Sequence, residues 1–176
     1  YPLRRQRQMC IRDRDSTVLS TYADTPFGDE DLLAFGKGAT GDWKSYLQFN
    51  LSTIPGNARV VGASLKLYQY IIGGSASNNT IGLYQVTSDW EESTITWNNQ
   101  PTSSTVAESS CAVTTSNIWR TWYNIADLVQ SWLDGSIANE GMLLKATDET
   151  IGFAVGCYSS DNTTDTTKRP KLVIDY

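Results

Sequence analysis

The stretch Ser45-Tyr-Leu-Gln-Phe-Asn-Leu51 decides the fold class. Leu47, Phe49 and Leu51 alternate with Tyr46, Gln48 and Asn50. A period of two with one apolar face is a half-buried strand, because successive strand side chains point to opposite faces. The turn Ile54-Pro55-Gly56-Asn57 follows, and the same period then returns. Val61, Ala63, Leu65 and Leu67 alternate with Ser64, Lys66 and Tyr68. Working outward, runs of the same kind occur at 17–21, 32–36, 81–87, 94–97, 112–114, 118–123, 142–146, 151–158 and 171–176. Gly, Asn, Asp and Pro separate them, and a loop opens at Gly73-Gly74-Ser75. About ten short strands with frequent turn signals predict an all-β jelly-roll sandwich.

One segment has another period. Ile125, Leu128, Val129, Trp132 and Leu133 fall at i, i+3, i+4, i+7 and i+8, the apolar stripe of an amphipathic helix. Asn124 is placed to cap its start, Asp127 lies in its first turn and Gly135 is placed to stop it. One short helix over an end of the sandwich is expected.

Composition limits the chemistry. The 176 residues are 40% hydrophobic, 11% aromatic and 19% charged, which suits one globular domain with a real core. No apolar run is long enough for a helical membrane span. Histidine is absent, which excludes Ser-His-Asp and Cys-His nucleophilic sites and His-ligated zinc. No phosphate-loop, nucleophile-elbow or C-x-x-C pattern occurs. Glu91 and Glu92 are adjacent, and neighbours on a strand point to opposite faces, so they do not form a hydrolytic pair. An enzyme is not expected.

Charge is uneven. Residues 1–14 hold five of the eight arginines, and without them nine basic residues face eighteen acidic ones. The segment has neither an apolar run nor a period, and Met9-Cys-Ile-Arg-Asp-Arg14 reads like translated adapter sequence. It is therefore expected to be an artefactual or foreign extension, with the sandwich occupying 15–176. An acidic body argues against nucleic acid as a partner.

The motifs, taken in order, resemble a known family. They include Asp15-Ser-Thr-Val, then Trp43-Lys-Ser-Tyr-Leu-Gln-Phe-Asn-Leu-Ser-Thr-Ile-Pro55, and Ala63-Ser-Leu-Lys-Leu-Tyr68. Trp90, Trp97, Asn98 and Pro101 follow as Trp-x6-Trp-Asn-x2-Pro, then the helical Asn124–Gly135 stretch, Asn139-Glu-Gly141, Ser159-Ser-Asp161 and a terminal Arg169-Pro-Lys-Leu. This order resembles the DNRLRE domain, a jelly-roll module of secreted proteins. That family overlaps a carbohydrate-binding module family found beside alginate-degrading lyases. The resemblance spans the body and implies a secreted or surface-displayed chain, with a catalytic domain fused to it or associated with it in the intact protein. It departs at Lys44, where the family usually has Arg. A lysine there cannot make the bidentate contact to a carboxylate that arginine makes.

Three site expectations follow. With Leu47, Phe49, Leu65 and Leu67 inward, Lys44, Tyr46, Gln48, Lys66, Tyr68 and Tyr70 face outward. Tyrosine rings beside lysines suit pyranose faces and the carboxylates of an acidic or plant- or algal-type polysaccharide. Arg169 is a further candidate for an acidic sugar, its structural alternative being a tie to a carboxylate within the fold. No cofactor motif is present, and calcium is the ion the acidic loops could hold, with Asp15, Asp24, Asp29-Glu30-Asp31, Asp148-Glu149 and Asp161 offering oxygens. Cys111 and Cys157, sharing faces with core residues, are expected to pair as a disulfide in an oxidising compartment. The leading function is non-catalytic extracellular glycan binding. The alternative is a structural or assembly domain of a surface or fibre protein.

Overall fold

The structure, a computed structural model, describes residues 7–10, 12–74, 79–150 and 152–176. Part of the loop after Gly73 and the first residue of the run at 151–158 lie outside the described residues. Eleven strands and one helix follow in order: β1 Arg7–Cys10, β2 Arg12–Leu19, β3 Leu32–Gly38, β4 Gly41–Phe49, β5 Gly62–Gly74, β6 Thr80–Gln85, β7 Ser109–Ala112, β8 Ile118–Trp122, α1 Ala126–Leu133, β9 Met142–Ala146, β10 Phe153–Tyr158 and β11 Lys171–Asp175. Every pairing is antiparallel.

The hydrogen-bonded order is β1-β11-β5-β10-β3-β4-β9-β6-β7, with β2 on β4 and β8 on β5. The sheet folds over at the β3–β4 hairpin, where only Gly36–Trp43, Lys37–Asp42 and Gly38–Gly41 pair. One layer is thus β2-β4-β9-β6-β7, and the other is built around β5. The long β5 carries β11 along Gly62–Lys66 and β10 along Gln69–Gly74 on one edge, and β8 on the other.

The core lies between the layers. Leu33, Phe35, Leu65, Leu67, Trp122 and Phe153 of the β5 layer meet Leu47, Phe49, Ile81, Leu83 and Leu144 of the other. Trp122 joins the layers, packing edge-on against Phe35 at 6.3 Å and donating from its indole Nε1 to the Ile81 carbonyl at 2.9 Å. That bond satisfies a donor that burial would otherwise strand.

Two expectations change, and the strand order adds a third point that alternation does not give. The run at 94–97 is turn, not strand. Asn124 does not cap the helix. It sits in the left-handed region at φ 61° and turns the chain out of β8, while Ile125 takes the cap position without a side-chain bond. Gly135, at φ 74°, stops the helix as expected. Finally, β4 and β5 are not neighbours, since β3 and β10 lie between them. Within the arm set apart by its charge, residues 7–10 pair with β11 and Arg12 and Arg14 with β4. Among the described residues no helix is long and apolar enough to cross a membrane.

Candidate functional site

The outward face of β4 is not a surface. Tyr46 is 1% exposed and Gln48 is buried, and only Lys44 is half-buried. The segment 86–107 lies across them and builds a second, smaller core of Val18, Tyr46, Tyr84, Val86, Trp90, Ile95 and Leu143. Trp90 packs on Tyr46 at 5.7 Å and donates to the Glu140 carbonyl at 2.9 Å. Lys44 Nζ lies 4.6 Å from the Trp97 ring centre. Gln100 Oε1 accepts from the Tyr46 hydroxyl at 3.0 Å and from Lys44 Nζ at 3.4 Å. Burial pushes the Tyr46 phenol well above its ordinary range and lowers the Lys44 ammonium. Gln48 Nε2 donates to the Asn139 carbonyl. The expected contribution of Lys44, Tyr46 and Gln48 to an open face is therefore corrected: Lys44 and Tyr46 hold the cover onto β4, and Gln48 ties β4 to the loop before β9.

The outward face of β5 is open. Lys66, Tyr68 and Tyr70 are half-buried there, as alternation requires. Register sets Trp119 of β8 opposite Tyr68 on one edge and Lys171 of β11 opposite Lys66 on the other. Tyr158, at the end of β10, completes a row. Trp119 meets Tyr68 edge-on at 5.6 Å, Tyr68 stacks on Tyr158 at 6.0 Å, and Tyr158 stacks on Tyr70 at 4.9 Å.

Cations line this row. Lys66 and Lys171 lie over the Trp119 ring at 5.7 and 4.4 Å, and Lys168 over Tyr68 at 4.5 Å. These are three of the chain's six lysines, on a chain of net charge −5. Lys66 and Lys171 are direct cross-strand partners, an arrangement that costs stability because like charges repel. The indole face between them offsets part of that cost. Lys168 is aimed by the 3-10 turn Thr166–Lys168, where Asp165 caps the turn and holds Lys168 Nζ at 3.3 Å. The Asp165 bond keeps the Lys168 ammonium above its ordinary range. The arrangement is a row of aromatic rings with lysine ammonium groups lying over Trp119 and Tyr68.

Alternation places Lys66, Tyr68 and Tyr70 correctly, and it also carries unread signals for two more residues. Trp119 and Trp122 are three apart on a strand, so they cannot share a face. Since Trp122 is in the core, Trp119 is outside. Tyr158 likewise follows the inward Phe153, Val155 and Cys157. Lys168 has no such signal, because an irregular turn positions it.

The remaining candidates lie elsewhere. Arg169 Nε donates to the Asn162 carbonyl at 3.0 Å, so its tie is to backbone, not to a carboxylate. Cys111 and Cys157 are both free thiols, and the expected bridge between them is not formed. Burial raises the pKa of each. Of the acids, Asp15 and Asp161 come together with Glu92, their carboxylate oxygens lying within 4.8 Å of one another. Asp15 is 1% exposed, its N–H donates to Glu92 Oε1 at 2.9 Å, and its Oδ2 accepts from the Ser160 N–H at 3.0 Å. The Ser160 hydroxyl is buried beside it with no hydrogen-bond partner among the described residues. Glu92 is the member of this cluster that the sequence did not offer as an oxygen donor.

The model of carbohydrate-binding module family 96 matches residues 7–176. No curated protein matches the chain. The match agrees in kind with the carbohydrate-binding family that the motifs resemble.

Proposed function

We propose that the chain, which belongs to carbohydrate-binding module family 96, binds an acidic polysaccharide outside the cell on the row Trp119, Tyr68, Tyr158 and Tyr70. A module of this kind binds without catalysing a reaction, so the chain is not an enzyme. The observation that carries the acidic preference is the opposed pair Lys66 and Lys171 over one indole face. Repulsion between directly opposed lysines is relieved when a carboxylate or sulfate sits between them. The rings then take the apolar faces of neighbouring sugars. An accessory role beside a catalytic domain of the same or an associated protein is part of this proposal.

Calcium belongs to this proposal as a structural ion. Asp15, Glu92 and Asp161 supply a compact set of carboxylate oxygens, and a hard cation takes six to eight oxygens from such groups, hydroxyls and backbone. The cluster ties β2 to the 86–107 cover and to the loop before β11. It would fix the cover, not touch the sugar.

Affinity electrophoresis in gels containing polygalacturonate or a neutral glucan tests the reading. Retardation is expected in the acidic polymer and should weaken with salt. Tyr158→Ala and Lys171→Ala should each weaken it by about fivefold or more, the scale of an interface anchor, while the fold stays intact by circular dichroism. Equal retardation in both polymers, with Lys171→Ala unchanged, would overturn the acidic preference.

A further inference from the structure

The aromatic row does not end at Tyr70. On β10, Gly156 pairs with Ile71 and Cys157 with Gln69, so Tyr70 is an extra residue in β5. Such a bulge re-aims side chains. Beyond it the alternation slips: Ile71 is 51% exposed, and Ile72 packs against the core instead. Tyr70 and Ile71 therefore stand side by side on the outer face.

Both lean over Gly156. A Cβ there would meet Ile71 Cγ2 at 2.6 Å and the Tyr70 hydroxyl at 3.1 Å. Across β10, Gly156 pairs with Ala34 of β3. Small residues thus form the floor of a groove, and Trp43, Phe27 and Leu32, the last 40% exposed, make its far wall. Its volume is about 430 Å³, within the range of ligand sites. Among the described residues neither lysine nor arginine lines it, and its one charged group is Glu30. Tyr70 belongs both to this groove and to the stacked row.

We infer that the bulge at Tyr70 joins the lysine-edged row to an apolar subsite, so that one polysaccharide chain crosses both and presents uncharged, methylated or esterified sugar units to the groove. The inference rests on the acidic-polysaccharide reading of the row. A carboxylate in the groove would lose water, meet no cation and face Glu30. An ester methyl would be buried against Ile71, Leu32 and Trp43. The occupant is therefore a partly neutralised acidic polymer, not a fully charged one.

The probes are polygalacturonate free of esters and the same polymer with about half its carboxyl groups methyl-esterified, titrated calorimetrically. The wild-type chain should bind the esterified polymer about fourfold tighter, the transfer value of one buried methyl group. Ile71→Ser and Leu32→Ser, both at exposed positions, should each abolish that preference and leave binding of the ester-free polymer unchanged. Lys171→Ala should weaken both polymers. Equal binding by the wild type, tighter binding of the ester-free polymer, or a preference that survives both serine variants overturns the subsite and leaves the row standing. Binding of neither polymer overturns the row and the subsite together. A dimer in sedimentation that dissociates on Ile71→Ser also overturns the subsite, because the groove is then filled by a second copy.

Discussion

Tyr46 and Tyr68 carry the same residue type at the same phase of their strands, and the structure assigns them opposite consequences. Tyr46 is 1% exposed, packs on Trp90 at 5.7 Å and donates to Gln100 at 3.0 Å. Truncating a buried aromatic ring to alanine costs about 3–5 kcal/mol. At about 2–4 °C per kcal/mol for a domain of this size, Tyr46→Ala should lower the melting midpoint by roughly 6–20 °C. Tyr46→Phe removes only the hydrogen bond, and Gln100 Oε1 keeps its contact with Lys44. That change should cost about 0.5–1.5 kcal/mol and roughly 1–6 °C. Neither variant should alter polysaccharide affinity measured well below its midpoint. Tyr68→Ala should do the reverse: it loses ring contacts to Trp119 and Tyr158 at the surface, about 1–2 kcal/mol of stability, and at least fivefold in affinity. Thermal melts by near-ultraviolet circular dichroism and affinity electrophoresis at 20 °C below the lowest midpoint, roughly where two-state melting leaves the variant folded, give both readouts. Weaker binding by Tyr46→Phe at an unchanged midpoint would refute the buried role of Tyr46. The hydroxyl would then reach the ligand, and segment 86–107 would be a movable lid instead of a cover.

Four further outcomes are expected. The Thr167 hydroxyl holds the Asp165 carboxyl below its ordinary range, and Asp165 holds Lys168 above its own. The first contribution is present above the unfolded carboxyl value and lost as pH falls through the lowered folded value. The second is present below the unfolded ammonium value and lost as pH rises through the raised folded value. The turn that aims Lys168 is thus intact from about pH 5 to 9, and affinity for a sulfated polymer should be flat across that window; a decline inside it refutes the pairing. Calcium at 100 times its dissociation constant should add about 2.7 kcal/mol, raising the midpoint by roughly 5–11 °C, and a midpoint unmoved by calcium or by chelator refutes the Asp15–Glu92–Asp161 site. Titration of denatured, unreduced protein should find both Cys111 and Cys157 as thiols, and their joint protection from the reagent restores the bridge between them. A chain starting at Asp15 loses the β1–β11 pairing and the Arg14 contacts to Asp89, Glu91 and the Trp90 ring. It should melt about 2–8 °C lower; an unchanged midpoint means the arm adds nothing to the fold.

The strand pattern was legible because a half-buried strand must alternate, and the two runs read first became β4 and β5. Alternation gives only which side chains leave the core between the layers. It does not give whether another segment then lies on them. Lys44-x-Tyr46-x-Gln48 and Lys66-x-Tyr68-x-Tyr70 are equivalent by that criterion, yet one is roofed and the other open. The deciding residues are in 86–107. Val86, Trp90, Ile95 and Trp97 lie outside every strand and helix of the described residues, so no element of their own buries them. An apolar set of that size left in water would be costly, and it must find a surface with apolar area to spare. The outer face of β4 around Tyr46 supplies it, and Gly141 lets the loop before β9 pass close to β4: its φ is 87°, and a Cβ there would collide with the Leu47 carbonyl. Two of the motifs that carry the resemblance, Trp-x6-Trp-Asn-x2-Pro and Asn-Glu-Gly, are thus the roof and its fastening, with Trp90 bonded to the Glu140 carbonyl and Asn139 to the Phe49 carbonyl. They identify the fold because they build it. The residues proposed to touch sugar lie in the unroofed strands, where Trp119 and Tyr158 follow from alternation. Lys168 follows only from the turn geometry that the chain adopts between β10 and β11.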